Sequence, residues 1–395
     1  MKGVFGAVLL ACMLVYPAGA QTIPSLGSAN TFEVATWNVE QFGSPSHGPA
    51  DEDLQVRNVA RVVRESGIDL WALQEIDDAD RFAGLLDELG AGWAGELSTG
   101  GSNFKTAFVY DTSVVFVLRK AAVLTGSSTA FAGRPPLQIE AEVVLGADTV
   151  TAVFLTVHMK AFGDVASHDR RTEAALRLKD HVDEVLANRP VVVLGDFNDE
   201  LASSITTGYA SPYAPFVAEA NSYAFLTLPL DLRNEPTWCA DPACTSGSTI
   251  DHILISDELF EAVRGGSAER FVDLLDVVDQ FASTTSDHLP VIARFSFRTG
   301  TAAEHAHTPI EPRLSAYPNP FVEAVHVEFA APSVGAAELT IYDVTGRSVR
   351  RVHAASRYPS PLVFRVPASG LPPGVYLAVL AHAGVRRAVR IVRTR

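Results

Sequence analysis

Six short polar words, each set against an apolar run, punctuate the first 300 residues: TWNVE (36–40), LQEI (73–76), TVHMK (156–160), GDFND (195–199), TIDHI (249–253) and SDHLP (286–290). A short apolar run ending in a carboxylate, amide or imidazole reads as a buried strand that delivers one polar side chain to its mouth. Six such strands would bring Asn38, Glu40, Glu75, His158, Asp196, Asn198, Asp251, Asp287 and His288 to one rim. Oxygen donors of this kind suit a hard cation, magnesium with manganese or calcium as alternatives. Flanking imidazoles complete an inventory suited to metal-assisted cleavage of a phosphate ester.

The intervening sequence sets these words in an α/β frame. Residues 32–38, 68–73, 104–110, 114–118, 137–145, 149–157, 190–195, 250–255 and 291–297 read as strands, with a tight Gly146-Ala147-Asp148 turn between two of them. Leu54, Val59, Val62 and Val63 mark one helical face, and residues 167–187 a second helix with Ala175, Leu178, Val182 and Val185 inward. Helices interspersed with direct hairpins imply two stacked mixed sheets with helices outside. A chain of 395 residues exceeds one domain, and the charge divides unevenly, about −21 over residues 1–309 against about +6 beyond. Such an acidic surface repels polyanions at long range, so a nucleic-acid substrate would be held by bound cations and local contacts.

Residues 1–20 read as a signal peptide: Lys2, an apolar stretch from Val4 to Tyr16 too short to span a bilayer, then Ala18-Gly19-Ala20. A membrane anchor and a lipoprotein cut before Cys12 are the alternatives. Residues 21–298 form the catalytic unit. Residues 299–312 lack apolar periodicity and read as a linker in which His305 and His307 are solvated. Residues 313–395 carry short strands at 323–330, 336–343, 347–353, 362–366, 374–380 and 385–392, a small all-β sandwich without clustered carboxylates or histidines. Export permits a disulfide between Cys239 and Cys244, with two free thiols as the alternative.

Glu75 ends Leu70-Trp71-Ala72-Leu73, where a carboxylate needs a cation; the competing reading is a helix-capping Glu beside Asp77, Asp78 and Asp80. In GDFND, Gly195 lets the chain turn so that Asp196 and Asn198 hold a water and a phosphoryl oxygen, against the plainer reading of an Asx turn. In SDHLP, Asp287 and His288 face opposite ways, and Asp251 is a candidate partner for His288. His158 is a candidate donor to a phosphoryl oxygen, His252 reads as structural, and His168 and His181 as solvated.

These words, in this order, resemble the endonuclease/exonuclease/phosphatase superfamily over roughly 32–297. That superfamily includes deoxyribonuclease I-like nucleases, sphingomyelinases and inositol-phosphate phosphatases. The resemblance implies a four-layer α/β sandwich and a magnesium-type ion held chiefly by Glu75, with Glu40 and Asp287 as further ligands. It casts Asp196 as the group that orients or deprotonates water, with Asn38, Asn198 and His158 on the phosphate. His288, paired with Asp251, would stabilise charge or move a proton, and Tyr110 would line the site. Glu40 stands where many members carry Asp, and the stretch Asn103 to Thr106 offers no acidic partner for His158. YPNPF (317–321), LTIYDVTGR (339–347) and LPPGVYLAVL (371–380) resemble the sorting domains of type IX secretion cargo, implying recognition by that machinery and a secreted or cell-surface location. An accessory adhesion or carbohydrate-binding sandwich is the alternative there.

The expectation is a secreted, monomeric, metal-dependent phosphodiesterase, most simply a nuclease. A phosphatase or lipid phosphodiesterase on the same scaffold is the alternative, with Ser211 to Tyr223 as a substrate or lipid loop. A catalytically silent binding protein is a third reading, which loss of Glu75, Asp196 or His288 would mark; all three are present.

Overall fold

The computed structural model describes residues 22–44, 46–99, 104–297, 314–382 and 384–394. The leader (1–20) and linker (299–312) expected from the sequence lie outside them. Among the described residues, fourteen strands build the larger unit: β1 (Phe32–Phe42), β2 (Leu70–Ile76), β3 (Trp93–Leu97), β4 (Lys105–Asp111), β5 (Val115–Ala122), β6 (Leu137–Leu145), β7 (Asp148–His158), β8 (Val191–Asp196), β9 (Tyr223–Phe225), β10 (Trp238–Cys239), β11 (Gly247–Ser248), β12 (Asp251–Ser256), β13 (Val263–Arg270) and β14 (Val291–Phe295). One sheet runs β13-β14-β1-β2-β4-β3 and the other β5-β6-β7-β8-β12-β9, while β10 and β11 pair as a small ribbon.

Alternation along the strands produces four layers. Phe32, Val34, Leu70, Ala72 and Phe108 of the first sheet meet Ile139, Phe154, Leu194 and Ile253 of the second in the central core. The opposite faces, Trp37, Trp71 and Leu73, take helix α1 (Glu52–Ser66) through Val59 and Val63, and α2 (Ala79–Leu89) through Phe82 and Leu85. Val153, Leu155 and Val193 take α3 (Val165–Asp180) through Ala174 and Leu178. The helices start where short polar residues can cap them. Asp51 accepts from Leu54 N, Asp78 from the amides of Asp80 and Arg81, and Asp164 from Ser167 N. Thus Asp78 alone of the carboxylates after Glu75 caps α2, while Glu75 itself stays on its strand.

Several details differ from the sequence expectations. The second helix gives way to one wide turn at His181–Val185, where Leu186 N donates to His181 O, and this rotates Val185 into solvent. Ser211 to Tyr223 is no exposed lipid loop: Tyr213, Phe216 and Tyr223 are buried behind the second sheet. His168 is buried as well, with Nε2 3.0 Å from Ala210 O and its ring against Tyr209. Strand β13 escapes periodicity because Gly265 and Gly266 sit at a register shift in its pairing with β14.

In the C-terminal unit, β15 (Leu314–Tyr317), β16 (Ala324–Tyr342), β17 (Ser348–Pro367), β18 (Gly374–His382) and β19 (Val385–Arg393) form one antiparallel network. Segments expected as separate strands are continuous, since Ser333 and Gly335 shift the β16–β17 register without ending it. The first half of β16 pairs with β15 and the second half with β18, and Val325, Val327, Leu339, Ile341, Phe364, Leu380 and Ile391 fill one core between them.

Gly195 lies within β8 between β7 and β12, and its role is close approach, not turning. A Cβ there would stand 2.1 Å from Val157 O and 2.7 Å from Val157 Cγ2. Gly195→Ala is therefore expected to cost about 3 kcal/mol, the upper end for an overpacked site, read from the shift in urea midpoint at constant slope.

Candidate active site

Four central strands end at one rim. In the parallel pair β1–β2, Asn38 stands opposite Gln74; in β7–β8, His158 stands opposite Asp196; and β12 runs antiparallel with Asp251 opposite Asp196. Strands β1 and β2 lose regular pairing beyond Asn38 and Leu73, and there Glu40, Gln41 and Glu75 take left-handed φ values of 47°, 46° and 63°. This conformation costs about 1–3 kcal/mol for such residues and marks functional sites. It turns Glu75 toward the second sheet.

The Asn38 amide joins the two sheets. Its Nδ2 donates to Glu75 Oε1 at 3.1 Å and to Asp196 Oδ2 at 3.0 Å, while Oδ1 accepts from Glu40 N. Gln41 N holds the other Glu75 oxygen at 2.9 Å, and Asn198 N holds the other Asp196 oxygen at 2.8 Å. The latter is the Asx turn of GDFND, so one carboxylate closes the turn and faces the cleft. His158 Nε2 lies 3.7 Å from both Glu75 Oε1 and Asp196 Oδ2. Among the described residues, Glu75, His158 and Asp196 present ligand atoms within 4.8 Å of one another, as do Asp196, Asp251 and His288.

Behind this cluster, His288 Nδ1 and Asp251 Oδ2 are 2.8 Å apart, and Asp251 is fully buried. Thr237 Oγ1 fixes the entry to β12 by accepting from the amides of Ile250 and Asp251. The neighbouring Asp287 points the other way: Trp238 Nε1 donates to its Oδ2 at 2.9 Å, and its own amide donates to Glu40 Oε2 at 3.0 Å. Cys239, joined to Cys244 by a disulfide, donates its amide to Asp287 O. Glu40 and Asp287 thus face the same cleft as Glu75 but stand outside the tight Glu75–His158–Asp196 group.

Two placements correct or extend the sequence reading. Tyr110 does not line the site: it pairs with Leu70, whereas Ile76 beside Glu75 pairs with Lys105, so antiparallel register carries Tyr110 to the far end of the sheet. It is buried in the central core instead. Arg134, which no word announced, donates from Nε to His158 O and from Nη2 to Met159 O. It lies on an irregular segment before β6, without periodicity to expose it. His252 is structural, bonded to Thr227 Oγ1 and facing Asp199 O at 3.0 Å.

Burial sets the protonation states. It raises Asp196 to about 7, assisted by Asp251 and opposed by His288 and Asn38. It raises Glu40 to about 7 as well, with Asp287 adding to the effect. Burial also opposes a charged His288, but Asp251, Asp287 and Asp196 together raise its pKa well above the usual value, so it is a cation. His158 is held well below its usual value by burial, Arg134 and His288, so its ring is neutral. Carboxylates crowded until they hold protons at neutral pH, beside a neutral imidazole, are a donor set that a divalent cation satisfies. Glu75 and Asp196 would hold it, with Glu40 and Asp287 within the same cleft of about 370 Å³, leaving His158 Nε2 to face the phosphate.

With this geometry in place, comparison with known proteins is decisive. The family model described as Endonuclease/Exonuclease/phosphatase family matches residues 35–288. The chain belongs to this family. Endonuclease/exonuclease/phosphatase proteins are phosphoester hydrolases dependent on divalent metal. The model described as Secretion system C-terminal sorting domain matches residues 315–392, which places the protein outside the cell or on its surface. A crystal structure of an endonuclease/exonuclease/phosphatase from Beutenbergia cavernae DSM 12333 is similar at TM-score 0.53 and 18% identity, covering 92% of this chain and 100% of its own. TDP2 of D. rerio, complexed with single strand DNA product, is similar at TM-score 0.50 and 14% identity, covering 67% of this chain and 99% of its own. None of the curated proteins matches the chain.

Glu40 and Asp196 must lose protons to bind a cation, so magnesium or manganese binding should release protons and tighten from about pH 6 to about pH 8. Calorimetry in buffers of different ionisation enthalpy reads the release; an enthalpy independent of buffer would contradict it. Both carboxyl groups lie above their ordinary values of 4.5 and 3.8, so the metal-free fold loses their contribution as pH rises toward about 7. A bound cation should restore it in thermal melts.

Proposed function

We propose that this protein is an exported, magnesium-type phosphodiesterase acting on nucleic acid. The observation that carries the reading is the meeting of Glu75, Asp196 and His158, with the Asp251–His288 pair behind them, in a cleft open to solvent. When bound, a divalent cation supplies charge neutralisation at phosphoryl oxygens and leaving group. The chain's own residues do the rest. Asp196, ionised once the cation is bound, orients a water and takes its proton. His288 carries a fixed positive charge that its bond to Asp251 keeps oriented, and it stabilises the negative charge that develops on phosphate. Neutral His158 can donate from Nε2 to a phosphoryl oxygen. Asn198 has one amide hydrogen left after its bond to Met159 O. Asn38 is engaged by both carboxylates and braces them, which gives it a positioning role beside phosphate contact.

Nucleic acid is favoured over lipid because Tyr213, Phe216 and Tyr223, the large apolar side chains of the stretch Ser211 to Tyr223, are packed inside the protein, and because a protein of the same fold holds a single strand DNA product. Phosphomonoester hydrolysis is the second reading, favoured by the acidic charge of about −21 over residues 1–309. In the proposed route of export, residues 1–20 are removed ahead of Gln21 and the sorting domain engages type IX secretion machinery.

Asp196→Asn and Glu75→Gln should each lower kcat by about 10³-fold or more with an unchanged circular dichroism spectrum. Turnover should stop in a chelator and return with magnesium or manganese. Plasmid DNA, RNA, phosphocholine lipid and sugar phosphate, offered in parallel, separate the readings: cleavage of sugar phosphate alone would replace the nuclease by a phosphatase.

A further inference from the structure

Beside the cleft, along the segment that follows His158, stand positive charges that the phosphoryl chemistry above does not use. After His158 the chain continues through Met159, Lys160, Ala161 and Phe162, and Ala161 and Phe162 form a wall of the cleft. Lys160 Nζ bonds only a carbonyl, Ala161 O at 3.2 Å, and rests 4.3 Å above the Phe162 ring. Arg134 is tied to the carbonyls of His158 and Met159. Arg170, on the first turns of α3, donates from Nε and Nη2 to Thr129 O. Among the described residues none of the three makes a salt bridge. The nearby Asp164 carboxylate caps α3, bonded to Ser167 N and Oγ.

The three cations also repel one another: Arg170 opposes the charge on both Arg134 and Lys160, and Arg134 opposes that on Lys160, while Asp196 and Glu75 favour the charge on Arg134 and Asp164 that on Lys160. In a chain of net charge −15, three half-buried cations tied to carbonyls have lost hydration and, among the described residues, form no ion pair with the carboxylates around them. A bound anion would relieve that repulsion, and cations arranged around phosphate are the common solution. Phe162, 70% exposed with φ of 81°, stands beside them as a flat apolar face.

We propose that Arg134, Lys160 and Arg170 form a second phosphate subsite, which takes the phosphate group next to the one being cleaved. This rests on the phosphodiesterase reading of the neighbouring site and adds to it: the preferred substrate carries at least two phosphates, as a polynucleotide strand or a small bisphosphate does.

The test is binding, so it does not depend on turnover. Calorimetry on the full chain compares thymidine 3′,5′-bisphosphate with thymidine 5′-monophosphate, and fructose 1,6-bisphosphate with fructose 6-phosphate. At least a ten-fold preference for a bisphosphate is expected, steepening at low salt. Lys160→Gln with Arg170→Gln should bring the ratio of affinities toward one, while Lys160→Arg should retain it. Preference within the nucleoside pair alone assigns the subsite to a nucleotide chain; preference in both pairs assigns it to bisphosphates generally. Equal affinities in the wild type, or a preference that survives the double substitution, would overturn the proposal. Failure of the nuclease reading shows separately, as absence of DNA and RNA cleavage with the bisphosphate preference intact.

Discussion

A single side-chain amide holds two negative groups of different sheets at one point. Asn38 reaches from β1 to Glu75 beside it and to Asp196 across the interlayer gap, and without a donor there the two carboxylates would repel in a poorly solvated setting. The surrounding arrangement serves that contact. Left-handed residues at Glu40, Gln41 and Glu75 turn the strand ends inward, and Gly195 lets β7 and β8 approach closely enough to set His158 beside Asp196. Ser286 Oγ bonds Asn38 O at 2.6 Å, and Trp37 Nε1 bonds His288 O at 2.9 Å, so the loop that supplies the cationic imidazole is fixed to the same strand.

Charge is sorted within the cleft. Carboxylates crowd one side, where only protons or a cation can satisfy them, and His288 is kept charged by three of them. Beside the cleft, the segment after His158 gathers guanidinium and ammonium groups against carbonyl oxygens. A negatively charged protein thus presents a local dipole to an anionic substrate, strongest inside the cleft where solvent screens least.

The strands and their terminal polar residues are legible in the sequence because a buried strand that ends on a charge must find that charge a partner. What stays hidden has physical causes. Arg134 acts through main-chain carbonyls, which any strand end offers, so nothing around it in the sequence signals a partner. Tyr110 defeats sequence reasoning because an apolar run shows that a strand exists but not which end faces the rim; antiparallel pairing with β2 decides that. The apolar stretch Ser211 to Tyr223 reads equally well as an exposed loop or as the cover of a sheet, and burial of Tyr213 and Phe216 makes it the cover. Val185 faces solvent because one wide turn breaks the 3.6-residue rhythm that would place it inward.

Strand β14 pairs with β1, Phe295 beside Phe32 and Val291 beside Thr36, so the unit is closed by its first and last strands. This gives assembly a temporal order. A nascent or half-translocated chain holds Asn38 and Glu75 long before Asp251 and His288 emerge, and pairings so distant along the chain form late. Until residues near 290 dock beside those near 36, the cleft lacks Asp287 and His288, so the site is complete only as synthesis of the unit ends.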